Sequence, residues 1–370
     1  MSVVIAPDSF KGTISAADAA AALAAGWLDE RPADHIVLRP MADGGEGTID
    51  AFALAVPGAR RMPVTVTGAD GSEVHATWLL LPPTDSSLGE IGVVELASTC
   101  GIELLGNRLL PLDAHTTGFG EAIAAALDYG VSQLVLGLGS SSSTDGGTGV
   151  LSALGARFTD AEDAPIPLGA RGLETLASAD LSRLRPLPAG GVNVLADVKN
   201  PLLGPKGATA VFGPQKGLGP EEIAIAEAGL ARLASMLPCD ANTVGAGAAG
   251  GVGFGLLSWG ARIVPGAVAV ADIIGLAAAV ASGNIVLTGE GTYDGQSAAG
   301  KAPAHVVALA REKAVPVAVV AGRVAADADT SALVASLSLI DLAGSPQSAI
   351  ANPARWLRDA GRQLAAEFGA

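Results

Sequence analysis

Aromatic side chains and positive charge are scarce in this sequence. Of its 370 residues 4% are aromatic, and 22 lysines and arginines stand against 37 aspartates and glutamates, which gives a net charge of −15. The basic residues form no block, so nucleic acid is not an expected partner. A core poor in aromatics is built from Ala, Val, Leu and Ile, as in layered α/β proteins. An acidic chain that binds phosphates does so with a few local lysines, backbone amides and a divalent metal.

Cysteine, histidine and long apolar runs are also sparse. Cys100 and Cys239 form no CxxC pair, so we expect reduced thiols, and the four histidines give no zinc spacing. The N-terminal residues reach Asp8 without a basic segment, so we expect no secretory signal here. The uncharged stretch 241–261 holds seven glycines and few large apolar residues, so it predicts a buried turn and helix rather than a membrane span. We therefore expect a cytoplasmic protein with no membrane partner.

The two ends of the chain alternate short apolar runs with helical patterns. Strands are predicted at 2–6 and 35–38, and a capping box of Ser15 and Asp18 opens a helix between them. The same alternation returns from residue 284. This pattern predicts a parallel sheet, whose ligands bind at the carboxyl ends of its strands. The remaining predictions for the two ends are strands at 284–288, 315–320 and 337–340 and helices at 49–56, 303–313 and 352–368.

The middle of the chain has a different pattern. Residues 64–81 alternate apolar and polar side chains around a Gly-Ala-Asp-Gly turn, which predicts an antiparallel hairpin. At 370 residues and 49% hydrophobic, the chain suggests two domains. We therefore predict an α/β fold of two α/β domains: a discontinuous parallel-sheet domain, 1–60 plus 284–370, and an inserted mixed-sheet domain, 61–283. The active site is expected in the cleft between them.

Two loops near the N-terminus carry candidate chemistry. Residues 6–13, which follow the first strand, hold Asp8, Ser9 and Lys11. The lysine suits a phosphate or carboxylate, although a lone loop lysine is equally often surface decoration. Residues 41–48 hold Asp43 and Glu46 among three glycines. These carboxylates would repel an anion, so this loop favours a metal or sugar-like hydroxyls over an ordinary turn.

Two later loops suit phosphates. Residues 137–149 bring hydroxyls, amides and Asp145 between a strand and a helix, which indicates an anion site rather than a flexible Ser/Gly linker. Residues 195–217 combine one acid with several lysines, which suits phosphate plus metal, but the sequence alone leaves that reading at even odds. The polar members of this second loop are Asp197, Lys199, Asn200, Lys206 and Lys216.

Near the C-terminus, residues 285–301 resemble an incomplete phosphate loop. A strand at 285–288 is expected to end in Gly-Glu-Gly, which leaves Glu290 and Asp294 on a turn. The segment from Gly295 to Lys301 fits the start of a P-loop, but Ala302 replaces the Ser or Thr that would ligate Mg²⁺. It is therefore no standard Walker A motif.

A second glycine motif is weaker still. Residues 245–250, GAGAAG, fit the dinucleotide pattern G-x-G-x-x-G, but no strand is predicted before them. Two functions from other classes are kept as alternatives: an NAD(P)-dependent hydroxyacid dehydrogenase and a non-enzymatic sugar-acid binding module. The dehydrogenase would need such a motif after a strand, with an acid about 20 residues on, and we find none. The binding module does not explain why acids and lysines recur on so many strand-end loops.

Taken in order, the motifs resemble one family. APDSFKGT, PMADGGEGT, the Gly/Ser loop with TDGG, DVKNPLLGPKGATAVFGPQKG, GAGAAGG and TGEGTYDGQSAAGKAP closely resemble the bacterial type-1 glycerate kinases, known as glycerate 2-kinases, over residues 3–323. The resemblance implies ATP-dependent phosphorylation of D-glycerate with Mg²⁺. It also implies two α/β domains, one of them flavodoxin-like or Rossmann-like.

Two positions depart from the family pattern. Members usually read GGSATNDGG where this chain has GSSSSTDGG from Gly139 to Gly147, so Ser140 replaces a glycine. We expect that serine to tighten the loop and alter nucleotide preference. Arginine is common where this chain has Thr292, which removes a phosphate contact.

Roles follow from residue chemistry and from the resemblance. Phosphoryl transfer is mostly positioning and charge neutralisation. The product favoured is 2-phosphoglycerate over 3-phosphoglycerate, and homo-oligomerisation is left open. The catalytic candidates are Lys11, Asp43 and Lys301. The D-glycerate candidates are Asp8, Ser9, Lys11 and Arg108. The ATP candidates are Gly139, Ser140, Ser141, Ser143, Asp145, Gly146, Lys199 and Lys206, and the Mg²⁺ candidates are Asp197, Glu290 and Asp294.

Overall fold

A computed structural model of the chain describes residues 1–10, 12–84, 88–295 and 302–368. The chain divides into two compact units. Unit 1 is Met1–Asp43, Asp50–Pro57 and Ala267–Ala370, and unit 2 is Gly44–Ile49 and Gly58–Gly266. The chain thus returns to unit 1 at Ala267, earlier than the residue 284 expected from the pattern of strands and helices.

The strands are β1 (Ser2–Ile5), β2 (His35–Leu38), β3 (Arg60–Thr67), β4 (Glu73–Leu81), β5 (Ile91–Glu95), β6 (Gln133–Gly137), β7 (Arg157–Thr159), β8 (Ser178–Asp180), β9 (Val192–Leu195), β10 (Arg262–Val264), β11 (Ile285–Tyr293), β12 (Val317–Val324) and β13 (Ala335–Ser338).

The helices are α1 (Ala16–Glu30), α2 (Thr48–Ala55), α3 (Ala97–Cys100), α4 (Thr117–Tyr129), α5 (Thr148–Ala153), α6 (Gly169–Gly172), α7 (Ala208–Phe212), α8 (Pro220–Ala234), α9 (Ala248–Trp259), α10 (Gly266–Ile273), α11 (Leu276–Ser282), α12 (Ala302–Glu312), α13 (Leu339–Ala343), α14 (Pro346–Ala351) and α15 (Pro353–Glu367). Short 3-10 helices cover Ile102–Leu105 and Pro214–Lys216.

Unit 1 is built on a five-stranded sheet in the order β13-β12-β11-β1-β2, and every pairing in it is parallel. The predicted capping box is confirmed, since the Ser15 hydroxyl accepts a hydrogen bond from the Asp18 amide at 3.1 Å. Helix α1 packs against α15 so closely that a Cβ on Gly26 would lie 1.9 Å from the Arg358 carbonyl oxygen. Buried Leu23, Trp27 and Leu357 lie in the hydrophobic core of this unit.

The Gly-Glu-Gly segment of β11 corrects the sequence prediction. It does not end the strand, because β11 runs on through Tyr293 and stays paired with β12. The glycines have a packing reason: a Cβ on Gly289 would lie 1.9 Å from the Val320 carbonyl oxygen. The prediction that the strand ends at Thr288 was therefore wrong. Glycine occurs inside β11 because β12 approaches its backbone closely.

Unit 2 is built on a six-stranded mixed sheet in the order β10-β9-β6-β5-β4-β3. The predicted hairpin is confirmed as the antiparallel pair β3 and β4, while β5, β6, β9 and β10 pair in parallel. Strands β7 and β8 form a separate two-stranded sheet. The parallel sheet of unit 1 and the mixed sheet of unit 2 confirm the predicted fold class.

The uncharged, glycine-rich stretch is a largely buried helix. Most residues of α9 are shielded from solvent, and Val252 and Phe254 lie in the core of unit 2. In the part of the chain that the structure describes, no helix is both long and apolar enough to cross a membrane. Cys100 is buried, Cys239 is partly buried, and both thiols are free.

Candidate active site

Two loops of unit 1 and the last residues of β11 lie at one edge of its sheet. Strand β1 lies between β11 and β2, and all three run parallel, so their carboxyl ends share an edge. The backbone extends this pairing into the loops: the Asp8 amide donates to the Gly289 carbonyl at 2.8 Å, and the Met41 amide donates to the Pro7 carbonyl at 2.8 Å. The segments that carry Asp8, Asp43 and Glu290 are thereby brought together.

The acids of this edge differ in exposure. Asp8 and Asp43 are half-buried, and the Asp8 carboxylate accepts a hydrogen bond from the Ser9 amide at 2.7 Å. Glu290 is only 7% exposed. Carboxylate oxygens are ligands that Mg²⁺ uses in proteins, so Glu290 is chemically suited to a role as a metal ligand.

Glu290 and Asp294 are less well placed to share one ion than the sequence suggested. Because β11 is extended, the Cα atoms of Glu290 and Tyr293 lie roughly 10 Å apart, and Asp294 follows. Among the described residues, no group of three or more His, Cys, Asp or Glu side chains could hold a metal ion. Mg²⁺ nevertheless commonly uses only one or two carboxylates together with substrate phosphates, so this donor set fits it. Lys11 and Lys301, two of the predicted catalytic residues, lie outside the described residues.

In unit 2 the carboxyl ends of β5, β6 and β9 also share one edge. The Ser/Thr loop, residues 139–147, follows β6, and the lysine loop, residues 196–207, follows β9. Residues 44–49 pack on this edge: the Gly139 amide donates to the Gly44 carbonyl at 2.9 Å. A Cβ on Gly137 would lie 2.7 Å from that same carbonyl oxygen. Backbone contact therefore accounts for Gly44 and its partner glycines without a ligand.

Glu95, at the end of β5, was not singled out from the sequence. It is buried, and its carboxylate accepts hydrogen bonds from the Ile49 amide at 3.0 Å and the Gly47 amide at 3.4 Å. It thus caps the first turn of α2. An isolated Glu at the end of an apolar strand is the one sequence signal that points to it.

Asp145 organises the Ser/Thr loop from within. Its carboxylate accepts hydrogen bonds from the Thr116 amide at 3.0 Å and the Thr116 hydroxyl at 2.7 Å. It also accepts from the Gly147 amide at 3.0 Å and the Gly149 amide at 3.3 Å. These amides at the start of α5 therefore have an internal acceptor, whereas the sequence suggested that they face a phosphate. The geometry gives Asp145 a part in holding the loop's shape.

Ser140 stands in a backbone conformation that favours glycine. Its φ is 58°, in the left-handed region. This is the position where the resembling family carries glycine. The serine therefore introduces local strain next to the hydroxyls that were predicted to contact a nucleotide.

Lys216 enters the Ser/Thr loop from the 3-10 helix Pro214–Lys216. It is 2% exposed, and its Nζ donates to the Ser141 hydroxyl at 2.8 Å and to the Ser143 carbonyl at 2.5 Å. Burial lowers the pKa of this ammonium to about 7, against the opposing pull of the Asp145 charge. The sequence named Lys216 among several loop lysines, but only packing distinguishes it from the exposed Lys199 and Lys206.

His115 also interacts electrostatically with Asp145. It is buried, and desolvation lowers its pKa, although the charge of Asp145 acts in the opposite direction. Among the described residues, His115 Nδ1, Ser143 Oγ and Thr144 Oγ1 are buried without a hydrogen-bond partner. These three atoms could therefore make hydrogen bonds to a bound ligand in addition to the contacts within the loop region.

Two other predicted contacts in unit 2, Asp197 and Arg108, already have partners within the protein. Asp197 is exposed, and its carboxylate accepts a hydrogen bond from the Gly266 amide at 2.8 Å. The exposed Arg108 guanidinium forms an ion pair with Asp70. That pair would have to open before Arg108 could receive a substrate carboxylate.

The GAGAAG motif packs against the Ser/Thr loop. Turns rather than a strand precede it, and Ala249, Gly250 and Gly251 are all left-handed, with φ values of 54°, 68° and 92°. The Gly146 amide donates to the Gly250 carbonyl at 3.1 Å, and a Cβ on Gly250 would lie 2.1 Å from the Ser143 carbonyl oxygen. The motif is thus a backbone support for the loop, not a dinucleotide fingerprint.

Comparison with known proteins is consistent along the whole chain. The glycerate kinase family profile matches residues 3–369. The glycerate kinase of Bacillus subtilis (strain 168) is 36% identical, covering 100% of this chain and 98% of the relative. The glycerate 2-kinase of Escherichia coli (strain K12) is 38% identical over 88% of this chain and 86% of its own length.

A solved structure gives the same answer. The crystal structure assigned as glycerate kinase 2 of Salmonella typhimurium LT2 superimposes with a TM-score of 0.84 at 38% identity, covering 100% of this chain and 98% of its own. The profile match, the named relatives and the shared fold agree, and the chain belongs to the glycerate kinase family.

Proposed function

We propose that this enzyme transfers the terminal phosphoryl group of ATP to D-glycerate in the presence of Mg²⁺ and releases ADP. One observation supports it best: parallel strands bring Asp8, Asp43 and Glu290 to one edge of the unit 1 sheet. A kinase needs carboxylates at such an edge to orient a hydroxyl and to hold a metal.

Glycerate is assigned to the unit 1 edge. Its carboxylate calls for a cation, which Lys11 supplies, and the Ser9 hydroxyl can donate to it. Asp43 accepts the proton of the attacking hydroxyl, or orients that hydroxyl by accepting a hydrogen bond from it. Asp8 holds the loop through its bond from the Ser9 amide. Lys301 neutralises charge on the transferring group.

The nucleotide is assigned to the unit 2 edge. The Ser/Thr loop brings Gly139, Ser141, Ser143 and Gly146 to the carboxyl end of β6, and Lys199 with Lys206 follows β9. Exposed lysines on a neighbouring loop suit a polyphosphate, because they can move to meet it. When bound, Mg²⁺ would neutralise charge on the phosphates. The residues proposed to hold it are Glu290 and Asp294 in unit 1 and, as a separate alternative, Asp197 in unit 2.

The favoured product is 2-phosphoglycerate. The Escherichia coli relative, named glycerate 2-kinase, supports this choice. Phosphorus NMR of the product, compared with authentic 2- and 3-phosphoglycerate, distinguishes the two. A spectrum of 3-phosphoglycerate alone would reverse the assignment.

The experiment that tests the activity is a coupled assay for ADP. D-Glycerate, ATP and MgCl₂ should give ADP that requires every component, and EDTA should abolish it. A parallel reaction with NAD⁺ or NADP⁺ should give no reduced cofactor. Glycerate-independent ADP, or no ADP at all, contradicts the proposed function.

A further inference from the structure

Lys216 is a buried cation that hydrogen-bonds to no carboxylate of the described residues. Its Nζ donates to two neutral oxygens, the Ser141 hydroxyl and the Ser143 carbonyl. Asp145 is the carboxylate whose charge acts on it, but the bonds to Asp145 come from Thr116, Gly147 and Gly149. Burying an ammonium in this way is costly, and an apolar side chain of similar length would avoid the cost.

The segment that Lys216 holds also contains buried hydroxyls without partners. Ser143 Oγ and Thr144 Oγ1 are such atoms among the described residues, and they lie two and three residues after Ser141. Gly250 of α9 packs against the same segment, and a side chain at this position would clash with the Ser143 carbonyl. Residues 141–144 are thus held in one shape by contacts with two separate elements.

We propose that Lys216 is a positioning residue for nucleotide binding: by holding Ser141 and Ser143, its ammonium sets the shape and positive field in which the Ser/Thr loop receives the nucleotide phosphates. This inference rests on the proposed function, since it takes ATP to be the nucleotide. Lys216 acts through the loop, so it is not itself assigned to the reacting atoms.

The positive charge of Lys216 gives this role a pH signature. The ammonium is protonated below about pH 7 and becomes a neutral amine above it, because burial has lowered its pKa to about 7. Asp145 faces it within the loop, and His115 faces Asp145 from the segment before α4. Deprotonation weakens both the hydrogen bonds and the field, so affinity that depends on Lys216 should decline as pH rises through 7.

Direct binding of a non-hydrolysable ATP analogue with MgCl₂, measured by calorimetry from pH 6 to 9, tests the proposal without any turnover. The Lys216→Met variant should bind about tenfold more weakly than wild type at pH 6, which corresponds to roughly 1.4 kcal/mol. That ratio should shrink above pH 7. Ionisation of the analogue itself cancels in the ratio because both proteins meet the same ligand.

Three further variants make the outcome decisive. Lys216→Arg keeps a charge at all these pH values, so it should bind better than Lys216→Met and lose the step near pH 7. Ser141→Ala removes one acceptor and leaves the lysine, so it should weaken binding a few-fold even if the methionine variant fails to fold. Lys313→Met, the same change at a partly exposed lysine paired with Glu312, should bind like wild type.

The result that overturns the proposal is equal affinity of wild type, Lys216→Met and Ser141→Ala at every pH, or a constant ratio between wild type and Lys216→Met across pH 7. Failure of the proposed activity would look different. Wild type would then bind the analogue more tightly than Lys216→Met but release no ADP with D-glycerate.

Discussion

At the scale of single residues, the burial of Lys216 has a cost that depends on pH. The pKa of its ammonium is lowered from 10.5 to about 7 on folding. Between these values the unfolded chain holds a proton that the folded chain has lost, so stability rises with pH. The cost is complete below about pH 7 and is relieved towards pH 10.5.

Wild type should therefore gain stability over Lys216→Met as the pH rises from 7 to 9. The gain is at most about 1.4 kcal/mol per pH unit. Urea unfolding of both proteins at several pH values measures it, and the difference between them removes the contribution of other groups. Parallel stability curves would mean that Lys216 titrates alike in both states.

Ser140 is the subject of a second prediction. The left-handed conformation costs a non-glycine residue about 1–2 kcal/mol. A glycine avoids this cost but loses about 0.5–1 kcal/mol more in conformational entropy on folding. Ser140→Gly should stabilise the fold by about 0.5–1 kcal/mol. Ser142→Gly is the matched control: it has no left-handed strain to relieve and loses the bond from its hydroxyl to the Cys100 carbonyl, so it should destabilise. Chemical denaturation measures both, and a loss of stability in Ser140→Gly would contradict the strain.

Asp43 is the residue on which the proposed reaction depends most. Asp43→Asn keeps the size of the side chain but removes its basicity, so kcat should fall by orders of magnitude, about 10²–10⁴-fold. Circular dichroism and the melting temperature should stay near wild type. Asp272→Asn, the same change on an exposed face of α10, should leave kcat unaltered. Near-normal turnover of Asp43→Asn would remove it from the site.

At the scale of elements, the β11–β12 pair shows how backbone contact overrides sequence pattern. Gly289→Ala would place its Cβ 1.9 Å from the Val320 carbonyl oxygen, so the two strands must separate. We expect a loss of about 3 kcal/mol in unfolding free energy. Arg323→Ala, at an exposed position of β12, should change it by less than about 0.5 kcal/mol. A tolerated alanine at Gly289 would show that the strands can part at little cost.

The elements divide into those that local pattern predicts and those that it does not. Apolar alternation and the Ser15 cap are local signals, so β1, α1, β2 and the hairpin were predictable. The full length of β11 was not, because Gly289 is selected by the close approach of a partner strand. Pieces as short as α6 and β8 bury too few side chains to leave a period.

At the scale of the whole molecule, the net charge of −15 should oppose compactness. Raising the salt concentration from about 10 mM to about 150 mM shortens the screening length from roughly 30 Å to 8 Å and should weaken this repulsion. The melting temperature should therefore rise by a few degrees. A fall on adding salt would show that local ion pairs, such as Arg358 with Asp29, outweigh the net repulsion.

The candidate site could be predicted only in part, because some of its contacts join residues that are far apart in the sequence. Loops after parallel strands can be read locally, so Asp8 and Asp43 were found, and Glu290 was found although it lies inside β11. Lys216 meets Ser141 across 75 positions, and Asp145 meets Thr116 across 29. Contacts over such separations are made by the fold, and no local pattern marks which lysine of a loop is buried.

The backbone contacts of the glycines also bear on how tolerance to substitution should be read. A saturation scan scored by growth alone would rank Gly137, whose Cβ would lie 2.7 Å from the Gly44 carbonyl oxygen, beside Asp43. A scan scored by cellular abundance should separate the two positions. Gly137 variants should be depleted because they misfold, while Asp43 variants should accumulate as inactive protein. We then expect many of the 49 glycines to tolerate no substitution because backbones pack closely against them. Their intolerance would reflect folding and not catalysis.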